Sequence, residues 1–163
     1  MSTPADPRLI LSEDGLDRAL ETFMLAEAAL WRAADAGLGG GEPGARLLGR
    51  GHFRAAFLLK RRPDLGVQEL ARLTGLSKQG ASKVLRELIA RGLAEATPGE
   101  IDARRRPTRL TAAGVQFEAG IAKALRDLLA AAYREGGIDA APGAVRILSA
   151  LAGPRAQRRT EEP

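Results

Sequence analysis

The sequence predicts a mainly α-helical fold that carries one small β-hairpin. Of the 163 residues 45% are hydrophobic but only 4% are aromatic, so the core is expected to consist largely of Leu and Ala, which favour helix. Apolar residues also recur at helical spacing in several separate stretches. Short strand patterns occur only near residues 93–110, on either side of a turn-rich basic segment. These patterns predict the hairpin.

The first helix is predicted to run from Ser12 to about Asp35. Ser12 is a suitable N-cap, and the acidic residues that follow it interact favourably with the helix dipole. An apolar stripe at helical spacing comprises Leu16, Leu20, Phe23, Leu30, Trp31 and Ala34. The glycine-rich segment from Gly37 to Gly44 ends this helix and predicts a joint or loop.

A second helix is predicted from Arg46 to Arg62, because Pro63 disfavours the α conformation in the residue before it. Its buried side is expected to hold Leu47, Leu48, Phe53, Phe57 and Leu58. Its polar side is expected to hold Arg50, Arg54, Lys60 and Arg61.

The next stretch has the pattern of a helix-turn-helix, with helices at Val67 to Thr74 and Ser77 to Arg91. Small Ala71 permits close helix packing, and Gly75 adopts the positive φ of the tight turn without a Cβ penalty. Ala81 and Val84 face inward, which leaves polar and basic residues on the outer face of the second helix. Gly92 suits the C′ position at the end of that helix.

Strands are predicted from Leu93 to Thr97 and from Pro107 to Leu110, with the basic hairpin tip between them. Thr111 is expected to cap a long helix that ends near Tyr133 or Glu135. A short last helix near Pro142 is predicted to place Val145, Ile147, Leu148 and Leu151 inside. Helix, helix-turn-helix and basic hairpin in this order predict a winged helix.

Five regions follow from this reading. They are a loose arm (1–11), an N-terminal helix with its glycine-rich joint (12–44), a winged helix-turn-helix (45–111), C-terminal helices (112–153) and a frayed tail (154–163). Positive charge is concentrated in the middle of the chain: residues 45–111 hold 15 Lys and Arg against 6 Asp and Glu, whereas the rest holds 10 against 14. A basic module of this kind is typical of proteins that bind nucleic acid.

Composition argues against several other classes of protein. The chain has no Cys, which removes disulfides, thiolate zinc sites and cysteine redox switches. No apolar run approaches the roughly 18 residues that a membrane span needs, and no signal-peptide pattern is present, so a cytoplasmic location is expected. Neither paired carboxylates nor a nucleophile with a base appears, so no enzymatic activity and no cofactor are expected.

The stretches GVQEL (66–70), LSKQGASKVLRELIARGL (76–93) and IDARRRPTRLTAAG (101–114) resemble the MarR family of transcriptional regulators. The segment LGRGHFRAAFLL before them is similar to a PetP-like subgroup of that family. The resemblance implies a homodimer in which the first and last helices interlock about a two-fold axis. Gly80 inside the second helix of the motif departs from the family pattern; it either permits close backbone approach to DNA or is simply tolerated.

The predicted DNA-binding residues lie on the second helix of the motif and on the hairpin tip. On the helix they are Ser77, Lys78, Gln79, Ser82, Lys83 and Arg86, and on the tip Arg104, Arg105 and Arg106. Gln79 suits adenine and Lys78 or Lys83 suits guanine, whereas Arg104 suits a narrow minor groove. Asp102 is expected to orient an arginine of the tip. For each helix residue, an ordinary solvated surface is the alternative.

A small-molecule effector pocket is a further expectation, lined by Trp31, Arg50, His52, Phe53 and Phe57; the alternative is that these are ordinary core and helix-face residues. His52 is the only histidine and lacks a Cys partner, so no metal site is expected. The sequence therefore predicts a dimeric, sequence-specific DNA-binding regulator whose recognition helix enters the major groove and whose arginine wing enters the minor groove. A winged helix that binds proteins and a non-specific architectural DNA-binding protein remain alternatives.

Overall fold

The computed structural model describes residues 10–38, 48–63, 65–96 and 108–153. Six α-helices lie in these ranges: α1 (Glu13–Leu38), α2 (Arg50–Arg61), α3 (Val67–Thr74), α4 (Lys78–Ala90), α5 (Ala112–Gly136) and α6 (Ala141–Ala152). Strands β1 (Ala94–Ala96) and β2 (Thr108–Leu110) pair antiparallel, with Glu95 opposite Arg109. A 3-10 turn, Ile138–Ala140, leads into α6. The predicted mainly helical fold with one hairpin is confirmed.

The helix starts follow from their capping residues. Ser12 Oγ accepts a hydrogen bond from the Gly15 N–H at 3.2 Å, which confirms the predicted N-cap of α1. Helix α2 begins at Arg50, not at Arg46 as the sequence predicted, and Leu48 precedes it. Gly49 has extended backbone, and its N–H donates to Nδ1 of His52 at 3.0 Å, which fixes the start of the helix there.

One core lies inside the helix-turn-helix and its hairpin. Leu59 of α2, Leu70 of α3 and Leu88 of α4 are almost fully buried. Ala71, Ala81 and Val84 are buried and Gly75 has a φ of 71°, as the motif predicted. The remaining members of this core are Ala55, Leu65, Leu85 and Ala94. Helices α2, α3 and α4 and the hairpin therefore share one hydrophobic interior.

A second core joins the long helices α1 and α5 to α2. Its buried members are Ala34, Phe53, Ile121 and Ala122, with Trp31 and Phe57 packed against them. The approach of α1 to α5 is close at Gly37, where a Cβ would lie 3.2 Å from Cγ1 of Ile121. Small residues at the C-terminal end of α1 thus allow that end to pack on α5.

Elsewhere α1 and α6 leave their apolar residues open to solvent in a single chain. On α1 these include Leu16, Leu20, Phe23, Met24, Leu25 and Leu30. The apolar residues of the last helix, which were predicted to lie inside, are 49–67% exposed in one chain; they are Val145, Ile147, Leu148 and Leu151. Helix α6 contacts the 3-10 turn before it. Within the described ranges, no helix combines the length and apolar character needed to cross a membrane.

Candidate nucleic-acid interface

Helix α4 presents a polar and basic outer face. Lys78, Gln79, Lys83 and Arg86 are exposed, and Ser82 is partly exposed. Opposite them Ala81, Val84, Leu85 and Leu88 are buried, so the inner face is fixed in the core and the outer face is fixed toward solvent. An α-helix held in this way has the size and the donors to enter a DNA major groove.

The N-terminus of α4 is locked by its cap. Ser77 Oγ accepts from the Gly80 N–H at 3.0 Å, and Gly75 closes the preceding turn. A Cβ at Gly80 would lie 3.2 Å from that same Ser77 Oγ. Gly80 thus fits closely against the capping hydroxyl, a local reason for glycine at this position that the sequence alone did not reveal.

The base of the hairpin is joined to α5 through Thr111 and Gly114. Thr111 Oγ1 donates to the Gly92 carbonyl at 2.6 Å and accepts from the Gly114 N–H at 3.2 Å. The Leu93 carbonyl accepts from the Thr111 N–H at 3.1 Å. A Cβ at Gly114 would lie only 1.9 Å from the Leu93 oxygen, so this position admits glycine alone without backbone movement. The Thr and the Gly of the motif therefore have a structural explanation.

The predicted wing residues Asp102, Arg104, Arg105 and Arg106 lie outside the described residues. The described part of the hairpin ends at Ala96 and resumes at Thr108. The antiparallel register brings Ala96, the last described residue before that segment, opposite Thr108, the first described residue after it.

The residues predicted to line an effector pocket are partly brought together. The guanidinium carbons of Arg50 and Arg54 lie 5.2 and 4.7 Å from the centre of the Trp31 ring. Phe53 is buried in the second core, with its ring 5.7 Å from that of Phe57. Arg61 covers the Phe57 ring at 3.4 Å. His52 instead points toward α4, where its Nε2 lies 2.7 Å from Oε2 of Glu87.

Polar contacts that the sequence did not predict tie α2 to its neighbours. Arg50 donates twice to the carboxylate of Asp35 on α1, at 2.5 and 3.0 Å. This hydrogen bonding lowers the pKa of Asp35. Arg54 donates to the Thr74 carbonyl at the end of α3, at 3.1 Å. Sequence spacing gave no signal for these pairs because their members are 15 and 20 residues apart.

A buried carboxylate joins α5 to the C-terminal end of α2. The Glu118 side chain has no exposed surface, and it accepts from Lys60 at 2.5 Å and from Arg61 at 3.1 Å. Burial alone would raise the pKa of Glu118, but the hydrogen bonds and charges of Lys60 and Arg61 outweigh it and hold the pKa below its ordinary value. Lys60 and Arg61, predicted to lie on a polar helix face, therefore also hold α5.

Comparison with known proteins agrees with this arrangement. The MarR family model matches residues 48–105. The chain is 38% identical over 110 residues to the HTH-type transcriptional regulator PetP of Rhodobacter capsulatus, an alignment that covers 68% of this chain and 66% of that regulator. The chain belongs to the MarR family. It spans slightly less than two thirds of the length of PetP.

Solved structures show the same fold at low sequence identity. Staphylococcus aureus MarR in complex with salicylate and kanamycin has a TM-score of 0.71 at 14% identity, over 90% of this chain and 95% of that one. A MarR family protein from Bacillus stearothermophilus has a TM-score of 0.68 at 17% identity, over 86% and 95%. These MarR structures share the fold of this chain over the stated fractions. Membership in a family of transcriptional regulators agrees with the expectation that the chain is not an enzyme.

Proposed function

We propose that this chain is a dimeric, sequence-specific DNA-binding transcriptional regulator that inserts α4 into the major groove. The observation that carries the proposal is the outer face of α4, where Lys78, Gln79, Lys83 and Arg86 stand exposed on a helix whose other face is buried. Lys78 and Gln79 lie in the first turn, the part of a recognition helix that reads base edges. Ser82 is one turn and Arg86 about two turns further along, and both suit phosphate oxygens.

The apolar faces of α1 and α6 support a homodimer. Large side chains on both helices are exposed in one chain, and monomeric soluble proteins rarely expose apolar surface over so many neighbouring positions. A second copy related by two-fold symmetry offers the same apolar surface in return. The two recognition helices then face half-sites about one helical turn, or roughly 10 bp, apart on a pseudo-palindromic operator. Arg104 enters the adjacent minor groove, Arg105 and Arg106 contact phosphates, and Asp102 orients an arginine of the wing.

The experiment that tests this function is selection of bound duplexes from random DNA with the purified protein, followed by sequencing. The proposal expects an inverted repeat. Recovery of A·T-rich DNA without symmetry would instead indicate an architectural DNA-binding protein, and recovery of no DNA at all would favour a winged helix that binds proteins.

Charge-removing variants test which residues make the contacts. The double variant Lys78→Ala, Arg104→Ala is expected to weaken operator binding at least about a hundredfold, because each lost contact of this kind costs about 1–3 kcal/mol. The dimer should remain intact in gel filtration with light scattering. Lys123→Ala is a control for the loss of one positive charge outside the proposed site, on α5, where Lys123 pairs with Asp127. Equal operator affinity for the double variant and the control would refute the assignment.

An effector site near Trp31 is the second part of the proposal. Staphylococcus aureus MarR has been solved with salicylate, an aromatic carboxylate. Arg50 and Arg54 lie against the Trp31 ring, and an aromatic carboxylate would replace Asp35 as the partner of Arg50.

Trp31 is the only Trp of the chain, so its fluorescence reports binding directly. Salicylate is expected to change this emission and to weaken DNA binding, and Arg50→Ala is expected to abolish both effects. Unchanged emission at millimolar salicylate would refute this site for aromatic carboxylates.

A further inference from the structure

Glu87 is an unusual residue on a helix that meets DNA. It is the only acidic residue between Lys78 and Ala90, it adjoins Arg86, and it follows Lys83 by one turn. Its side chain is 30% exposed. A carboxylate free to turn toward phosphates would repel them, so the position of this group matters for DNA binding.

His52 holds that carboxylate from the other side. Its Nε2 lies 2.7 Å from Glu87 Oε2, and its Nδ1 accepts from the Gly49 N–H at 3.0 Å. Because Nδ1 is an acceptor, the neutral ring must carry its proton on Nε2 and donate it to Glu87. One side chain, 13% exposed, thus connects the N-terminus of α2 to the recognition helix, 35 residues further along the chain.

We propose that His52 is a positioning residue for DNA recognition, which holds Glu87 on the α2 side of the recognition helix and makes DNA affinity depend on protonation of its ring. This inference rests on the proposed DNA-binding function. His52 contacts no DNA itself in this scheme, and it acts through Glu87 and through the orientation of α4.

Among the described residues that surround α2, Glu87 is the acidic residue that pairs with the His52 imidazole. Asp35 of α1 is paired with Arg50, and Glu118 of α5 is held by Lys60 and Arg61 at the other end of the helix. On α3, Glu69 pairs with Arg72. Arg54, on the same helix as His52, is directed to Trp31 and to the Thr74 carbonyl.

Protonation of His52 has a defined consequence. The second proton must occupy Nδ1, so the Gly49 N–H loses its acceptor; because this bond is exposed, water takes the place of the acceptor. The pair of His52 and Glu87 then changes from a net charge of −1 to 0 beside the DNA-facing surface. Lower pH is therefore expected to strengthen DNA binding.

The first test separates positioning from simple charge repulsion. The probe is the duplex most enriched in the selection described above, and its Kd is measured by fluorescence anisotropy at about pH 8. Glu87→Gln keeps an acceptor for Nε2–H and removes the charge, so it should bind more tightly than the unaltered chain. Glu87→Ala removes both the charge and the acceptor for Nε2–H. It is expected to bind DNA about tenfold more weakly than Glu87→Gln, because it loses one hydrogen bond to a polar partner. Equal affinities of these two variants would overturn the positioning role.

The second test uses the pH profile. The variant His52→Gln places glutamine at the N3 position. A glutamine side chain there also accepts from the N-cap N–H in a capping box, so the variant is expected to keep the start of α2. The Kd of the unaltered chain should fall about threefold from about pH 8 to about pH 5.5, and that of His52→Gln should stay flat. Parallel pH profiles would overturn the inference, because a merely structural histidine leaves them parallel. Absence of DNA binding by the unaltered chain would instead refute the proposed function, and with it the role of His52.

Discussion

Replacement of Gly114 by alanine is expected to destabilise the protein strongly, although alanine is the better helix former. The added Cβ would lie 1.9 Å from the Leu93 oxygen and 2.9 Å from its carbon, so the N-terminus of α5 and the end of the α4–β1 connection must separate by more than 1 Å to restore normal contact. That movement strains the bond from Thr111 N–H to Leu93 and the N-cap made by the Thr111 hydroxyl.

The magnitude follows from those losses. Overpacking in a rigid site costs about 1–3 kcal/mol, and a weakened cap and hydrogen bond add about 2 kcal/mol. The helix propensity of alanine returns about 1 kcal/mol. A net loss of about 3 kcal/mol in the free energy of unfolding is expected, which lowers Tm by roughly 6–12 °C for a chain of this size.

The assay is thermal and denaturant unfolding followed by circular dichroism at a fixed protomer concentration, because the stability of a dimer depends on concentration. Gly120→Ala is the matched control: it changes the same helix, and its Cβ would meet no atom within 4 Å. This control should be as stable as the unaltered chain or up to about 1 kcal/mol more stable. If Gly114→Ala were as stable as Gly120→Ala, the close contact with Leu93 would not explain the glycine.

Three further predictions concern the cap, the buried carboxylate and the apolar faces. Ser77→Ala should cost about 1 kcal/mol of stability in denaturant unfolding by removing the acceptor for Gly80 N–H, whereas Ser82→Ala, which removes no cap, should not. Because the pKa of Glu118 is lowered by folding, its stabilising contribution is complete above its unfolded pKa, near 4.5, and is lost as pH falls through the lower folded pKa. Glu118→Gln should therefore unfold with less dependence on pH in acid, and an unchanged pH profile of Tm would contradict this role. Ile147→Glu with Leu151→Glu should yield monomers in sedimentation experiments, since both side chains are exposed in a single chain; dimers of undiminished stability would exclude α6 from the interface.

Much of the helix-turn-helix could be predicted because its determinants are local. The turn at Gly75, the caps at Ser12, Ser77 and Thr111, and the inward positions of Ala81 and Val84 all depend on residues within one or two helical turns. The basic outer face of α4 follows from the same periodicity. The start of α2 was misplaced because its N-cap, Gly49, has no capping side chain and the cap depends instead on the side chain of His52.

The sequence by itself determined the helical periodicity, the turn and cap residues, and the segregation of positive charge, because each depends on residue type and short-range spacing. Only the tertiary structure decided which charged groups meet. In the folded chain Glu118 is buried against Lys60 and Arg61, His52 faces Glu87, and Gly114 packs against Leu93. Those contacts join residues that are 21 to 58 positions apart, and their partners are set by how packed helices lie against one another, which spacing along a single helix does not encode.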